Sequence, residues 1–150
     1  MNRVFRSGRG EPRTISDKTV TGALLPCTAV FVGATALTQA TAISGGRLAL
    51  LGDRDYYNPG GITLSTDPLF TPYVSGETGI AYLLKPDDEV AWAMAAATYN
   101  PGQELMLGAA GRLTAATSGN VVVAHWDAPT RAVSAGDLGD VVVANFYTKA

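Results

Sequence analysis

The chain holds one cysteine, Cys27, and one histidine, His125, in 150 residues. A lone thiol rules out an internal disulfide, and no His or Cys pair has the spacing that zinc sites use. Charge is scarce too: Asp, Glu, Lys and Arg make up 16% of the chain, against about 25% in ordinary globular domains. Soluble monomers usually carry more, so a surface this poor in charge suggests cover by neighbours. No apolar run approaches the ~18 residues of a membrane helix. The first residues are polar and arginine-rich, without the apolar stretch of a secretory signal. These absences predict no membrane partner and synthesis in a reducing cytoplasm. Aromatic and basic residues are not interleaved, so single-stranded nucleic acid has no stacking platform. No direct nucleic-acid partner is expected.

What the chain does contain is glycine (17 residues), a 47% apolar share and abundant Ala, Thr and Val. Such a mixture favours strands and turns over surface helices. The net charge of −2 is uneven. Residues 1–18 hold Arg3, Arg6, Arg9, Arg13 and Lys18 against Glu11 and Asp17, a net +3, which leaves −5 on the remainder. A basic arm on a mildly acidic body points to an anionic partner for the arm. Gly8, Gly10 and Pro12 break any regular period there. Residues 1–18 are therefore expected to form an extended arm with Val4 and Phe5 as apolar anchors, in front of a β-rich body at 19–150.

In the body, strands are expected at 29–33 (AVFVG), 37–43 (LTQATAI), 47–51 (RLALL), 79–84 (GIAYLL) and 89–97 (EVAWAMAAA). Further strands are expected at 104–107, 112–117, 121–126 and 140–148, with 127–139 as a loop. Residues 79–84 and 89–97 flank Lys85-Pro86-Asp87-Asp88 and read as a hairpin. Cys27 reads as a small buried hydrophobe in a strand.

Two stretches resemble each other. Pro26, Val30, Val32, Gly33 and Ala34 are matched by Pro101, Leu105, Leu107, Gly108 and Ala109, and Leu37-Thr38 by Leu113-Thr114. Ser44-Gly45 and Asp53 are matched by Ser118-Gly119 and Asp127, a spacing near 75 residues. The expected organisation is a sandwich- or barrel-like body of two similar β units, 19–64 and 98–148, joined by the hairpin 65–97.

Chemistry is thinly represented. His125 and Asp127 share a strand face, but no nucleophile-elbow pattern accompanies them. Residues 108–111 are glycine-rich yet lack the Lys-Ser/Thr of a phosphate loop. No cofactor, metal or catalytic residue is expected. Tyr56 and Tyr57, adjacent in a punctuated loop, are contact candidates.

The run ELMLGAAGRLTAATSGNVVVAHWDAPT, then SAGDLGDVVVANF, with YVSGETGIAYLLKPDDEVAWAMAA before it, resembles the capsid decoration (cement) proteins of tailed bacteriophages. The likeness covers most of 73–148 and lies in strand spacing and small residues, not in a signature motif. It implies a non-enzymatic, β-rich protein on the outside of a virion, braced on the major capsid protein. It also implies association with copies of itself, as trimers first and dimers second. Partner-binding residues are then expected among Arg3, Phe5, Arg6, Arg9 and Arg13 of the arm and at Tyr56 and Tyr57. Two other readings stay open. One is a carbohydrate- or host-surface-binding module that stacks sugars on Tyr56, Tyr57, Trp92 and Trp126. The other is a small hydrolase acting through His125.

Overall fold

A computed structural model of the chain describes Val4 and residues 12–43, 46–53 and 68–150. Its strands are β1 (Arg13–Val20), β2 (Ala29–Val32), β3 (Ala36–Gln39), β4 (Arg47–Leu51), β5 (Thr78–Leu83), β6 (Glu89–Ala93), β7 (Ala97–Tyr99), β8 (Glu104–Leu107), β9 (Leu113–Ala115), β10 (Val121–Trp126), β11 (Arg131–Val133) and β12 (Leu138–Thr148). Among the described residues the only helical pieces are two short 3-10 turns, Pro68–Phe70 and Ala109–Gly111. The body is mainly β, as the composition predicts. No helix among the described residues is long and apolar enough to cross a membrane.

The first five strands close a barrel in the order β1-β3-β2-β4-β5. The second sheet runs β6-β12-β10-β8-β9, and β7 pairs with β11 in a small sheet of its own. The ends of the second sheet meet at one parallel bridge, Met94 to Leu113. Position by position the two sheets are the same object, with β1, β2, β3, β4 and β5 answered by β6, β8, β9, β10 and β12. Val30 faces Gln39 and Val32 faces Leu37 in the first, where Leu105 faces Ala115 and Leu107 faces Leu113 in the second. Ala29 lies opposite Leu50 as Glu104 lies opposite His125. Thr14 and Ile15 pair with Tyr82 and Ala81 as Glu89 and Val90 pair with Val142 and Val141. The parallel closure of Val20 on Leu37 recurs as Met94 on Leu113. A bulge between Ile15 and Lys18 in β1 accounts for the one residue by which β1 and β6 drift apart.

Local chemistry is repeated along with register. Pro26-Cys27 and Pro101-Gly102 make the same turn, with φ of 62° at Cys27 and 76° at Gly102. Proline presets the first turn position, and the second needs the left-handed region. Before β5 the Glu77 carboxylate accepts from the Val74 amide at 3.1 Å; before β12 Asp137 accepts from the Ser134 amide at 2.9 Å. Gly76 and Gly136 complete those turns at φ 93° and 91°.

The interiors correspond as well. Val20, Leu37, Leu51, Tyr73 and Ala81 fill barrel one, and Met94, Leu113, Trp126, Val133 and Val141 take their places in barrel two. Leu51 with Tyr73 becomes Trp126 with Val133, a large-for-small exchange that keeps the total volume and is therefore tolerated. The outer face of barrel one, through Ala29, Ala40 and Leu50, joins the core cluster of barrel two. Burying this second face is what fuses the repeats into one body.

Several expected boundaries move. The repeats run from β1 to β5 and from β6 to β12, not over 19–64 and 98–148. The hairpin expected over 65–97 does not form: β5 pairs with β1 and β4, whereas β6 pairs with β12. Lys85-Pro86-Asp87-Asp88 is thus the link between barrels, and its turn signal is satisfied without strand pairing across it. Residues 13–18, assigned to the arm, lie in β1, where Thr14 and Ile15 alternate as a strand requires. Val4 is buried, and its carbonyl accepts from the Ala91 amide at 2.8 Å, so that anchor engages the protein's own β6. Cys27 is fully buried as expected, but it sits in a left-handed turn and not in a strand. The loop at 127–139 contains β11, and the strand expected over 89–97 breaks into β6 and β7.

Candidate interaction surfaces

Of the residues expected to meet a partner, Arg13 opens β1 with an exposed side chain. Arg3, Phe5, Arg6, Arg9, Tyr56 and Tyr57 lie outside the described residues. Trp92 and Trp126 are not available for sugar stacking, since they are 2% and 1% exposed. Each is tied down by its indole: Trp92 Nε1 donates to the Gly111 carbonyl at 3.0 Å, and Trp126 Nε1 to the Pro129 carbonyl at 3.2 Å. Tyr99 stacks on Trp126 with ring centres 5.2 Å apart, and the Arg131 guanidinium covers the ring at 5.4 Å. The burial follows from the repeat, because Trp126 holds the interior position that Leu51 fills in barrel one.

His125 belongs to a surface chain of polar groups. Its Nε2 lies 2.9 Å from the Tyr147 hydroxyl, which donates to Glu104 at 2.7 Å. Tyrosine has one proton to give, so the imidazole Nε2 is the donor in the first of these bonds. Lys149 completes the chain at 3.5 Å from Glu104 and also donates to the Ala116 carbonyl. The bond from Tyr147 holds the Glu104 carboxyl below its usual range and raises the Tyr147 hydroxyl above its own. The expected neighbour Asp127 takes no part; its amide instead bonds the Asp140 carbonyl. Among the described residues no serine, threonine or cysteine side chain bonds this imidazole. It occupies the outer face of β8, β10 and β12, and Glu104 and His125 hold the places that Ala29 and Leu50 hold on the buried face of barrel one. Among the described residues no group of three or more Asp, Glu, His or Cys could hold a metal ion.

Among the described residues four large apolar side chains are exposed: Phe70, Val74, Phe146 and Tyr147. They fall into two pairs, one before β5 and one near the end of β12. Phe146 edges a cleft of about 300 Å³ between the repeats, lined also by Ile43, Leu48, Leu84, Trp92 and Val143. Phe70 edges a second groove of about 140 Å³, again between the repeats, with Arg112, Gln39 and Thr28 among its walls. Sequence reasoning singles out neither pair. Phe146 and Tyr147 lie in the expected closing strand 140–148, and the β10–β12 pairing beside them is irregular between Val122 and Ala124. Glu104 gives no signal, because its partner lies 43 positions away.

No protein-family model matches the chain, and no curated protein matches it.

Proposed function

We propose that the chain is a structural decoration protein of a bacteriophage head, bound to the outside of the shell with the major capsid protein and copies of itself as partners. The observation that carries this reading is the pair of exposed apolar patches, Phe70 with Val74 and Phe146 with Tyr147, on a body with few charges. One patch belongs to each repeat, so a single molecule offers contact surfaces to two neighbours. Apolar and aromatic side chains are the usual anchors of protein interfaces. The sequence resemblance supplies the kind of neighbour, and a trimer is the favoured self-association.

The test mixes the purified protein with shells of the encoding phage that lack it. Co-sedimentation at a fixed copy number, with a raised shell melting temperature, is expected. Phe70→Ser and Phe146→Ser should each weaken binding by ~tenfold or more, as loss of a buried aromatic anchor does. Absence of binding to shells, together with saturable binding to host glycans, would replace this reading with the host-surface module.

A further inference from the structure

Each repeat is a control on the other. A residue the barrel requires has a counterpart of similar kind, and one present in a single copy marks something else. Arg112 is of the second sort. It precedes β9 where Ala36 opens β3, and the preceding glycines bond the two alike: Gly33 donates to the Ala36 carbonyl at 2.9 Å and Gly108 to the Arg112 carbonyl at 2.8 Å. Barrel one closes with a methyl group at this position, so the fold does not demand a guanidinium there.

The guanidinium stands beside the second repeat's own turn. It lies against the backbone of Gly136, where an added Cβ would stand 3.6 Å from a terminal nitrogen; the equivalent Gly76 faces open space. In a chain of net negative charge, no carboxylate among the described residues pairs with it. The groove of about 140 Å³ before it has two other polar side chains on its walls, both engaged by backbone. Thr28 donates to the Leu25 carbonyl at 2.6 Å, and Gln39 to the Ala29 carbonyl at 2.7 Å. Phe70, 52% exposed, forms the rim. A half-buried cation and an exposed aromatic ring among its walls describe what the groove would receive. A carboxylate can take two parallel hydrogen bonds from a guanidinium, and the adjoining apolar residue can cover Phe70.

We propose that this groove is a docking site for an acidic segment of a protein partner, with an Asp or Glu side chain seated on Arg112 and an apolar neighbour against Phe70. The groove admits one side chain, so the segment is extended and not a folded face. The site is built from residues of both repeats.

The capped peptides Ac-Leu-Asp-Leu-NH2 and Ac-Leu-Asn-Leu-NH2, titrated into 15N-labelled protein, test the assignment without any shell. The Asp peptide should shift the amides of Ala110, Arg112 and Gly136 saturably, and the Asn peptide should bind ~tenfold more weakly, the difference a charged hydrogen bond makes. Arg112→Gln should lose the same ~tenfold while keeping a dispersed spectrum, given that barrel one tolerates alanine there. Equal binding of the two peptides, or no shift at these amides at tens of millimolar, would overturn the proposal. Shifts at the same amides on raising protein concentration alone would assign the groove to a second copy and overturn it too. If Arg112→Gln does not fold, the comparison of the two peptides on the wild-type protein decides. Failure here leaves the shell reading standing, and failure to bind shells leaves this one standing.

Discussion

Gly79 and Gly139 hold the same position in the two barrels, and in both a Cβ would be driven into the interior. At Gly79 it would overlap Val20 and crowd Leu37; at Gly139 it would overlap the Trp126 ring and meet Met94 at 3.0 Å. Both glycines are therefore packing requirements of a barrel too narrow for a further side chain at that level. Gly79→Ala and Gly139→Ala should each lower unfolding free energy by ~1–3 kcal/mol, the usual cost of overpacking. Val20→Ala should recover part of the loss in the Gly79→Ala background, read by urea denaturation. Additive effects would show that the two side chains do not compete for space.

The Pro-x turns make a second pair of outcomes. Gly102 has φ 76° with open space around it, so Gly102→Ala introduces strain and no clash. The expected cost is ~1–2 kcal/mol, that of a left-handed L-residue. Cys27 already bears such strain at φ 62°. Cys27→Gly relieves it while losing a buried side chain, and should change stability by less than Gly102→Ala.

Tyr73 ties stability to alkaline pH. Its hydroxyl lies 3.0 Å from the carbonyls of Gly52 and Asp53, and burial pushes its pKa up to about 12, against the lowering effect of the Ile80 amide. The folded state therefore favours the protonated phenol more strongly than the unfolded chain does. Its contribution is fully present below the unfolded pKa of 10.0 and falls as pH rises toward about 12. Urea midpoints should drop between those limits, and Tyr73→Phe should flatten the drop while lowering stability at neutral pH by ~1 kcal/mol. An unchanged pH dependence in Tyr73→Phe would show that other groups govern it.

The surface chain through Tyr147 should matter little to stability. Tyr147→Phe and Glu104→Gln remove bonds among exposed groups that water and salt screen, so the melting temperature should barely move. A larger loss, measured by thermal melting, would mean that the chain organises the β8–β10–β12 face beyond its own contacts.

Much of this architecture is legible in the sequence. Pro26 and Pro101 align by sequence alone, as do Leu37 and Leu113, because turn chemistry and interior leucines survive divergence. What the sequence does not display is which strands pair. GIAYLL and EVAWA look like two arms of one hairpin, since a tight Pro-Asp-Asp turn separates them, yet each belongs to a different barrel. Closure around five strands sets their partners, and closure is a long-range property. The interaction surfaces are the least visible part. Arg112 is unremarkable among the arginines of the chain and becomes conspicuous only beside Ala36, once register makes them equivalent.

One hydrogen bond separates the two closures. In barrel one the Thr19 amide bonds Thr35 across the barrel's own seam at 3.1 Å. In barrel two the equivalent amide, Ala93, bonds Cys27 of the other repeat at 2.8 Å. Closure of barrel two therefore draws on the first repeat as well as on its own strands. Residues 85–150 alone would keep the Met94–Leu113 bridge but leave the Ala91 and Ala93 amides of β6 without their acceptors, Val4 and Cys27, so the cost of separating the repeats falls on a single strand edge.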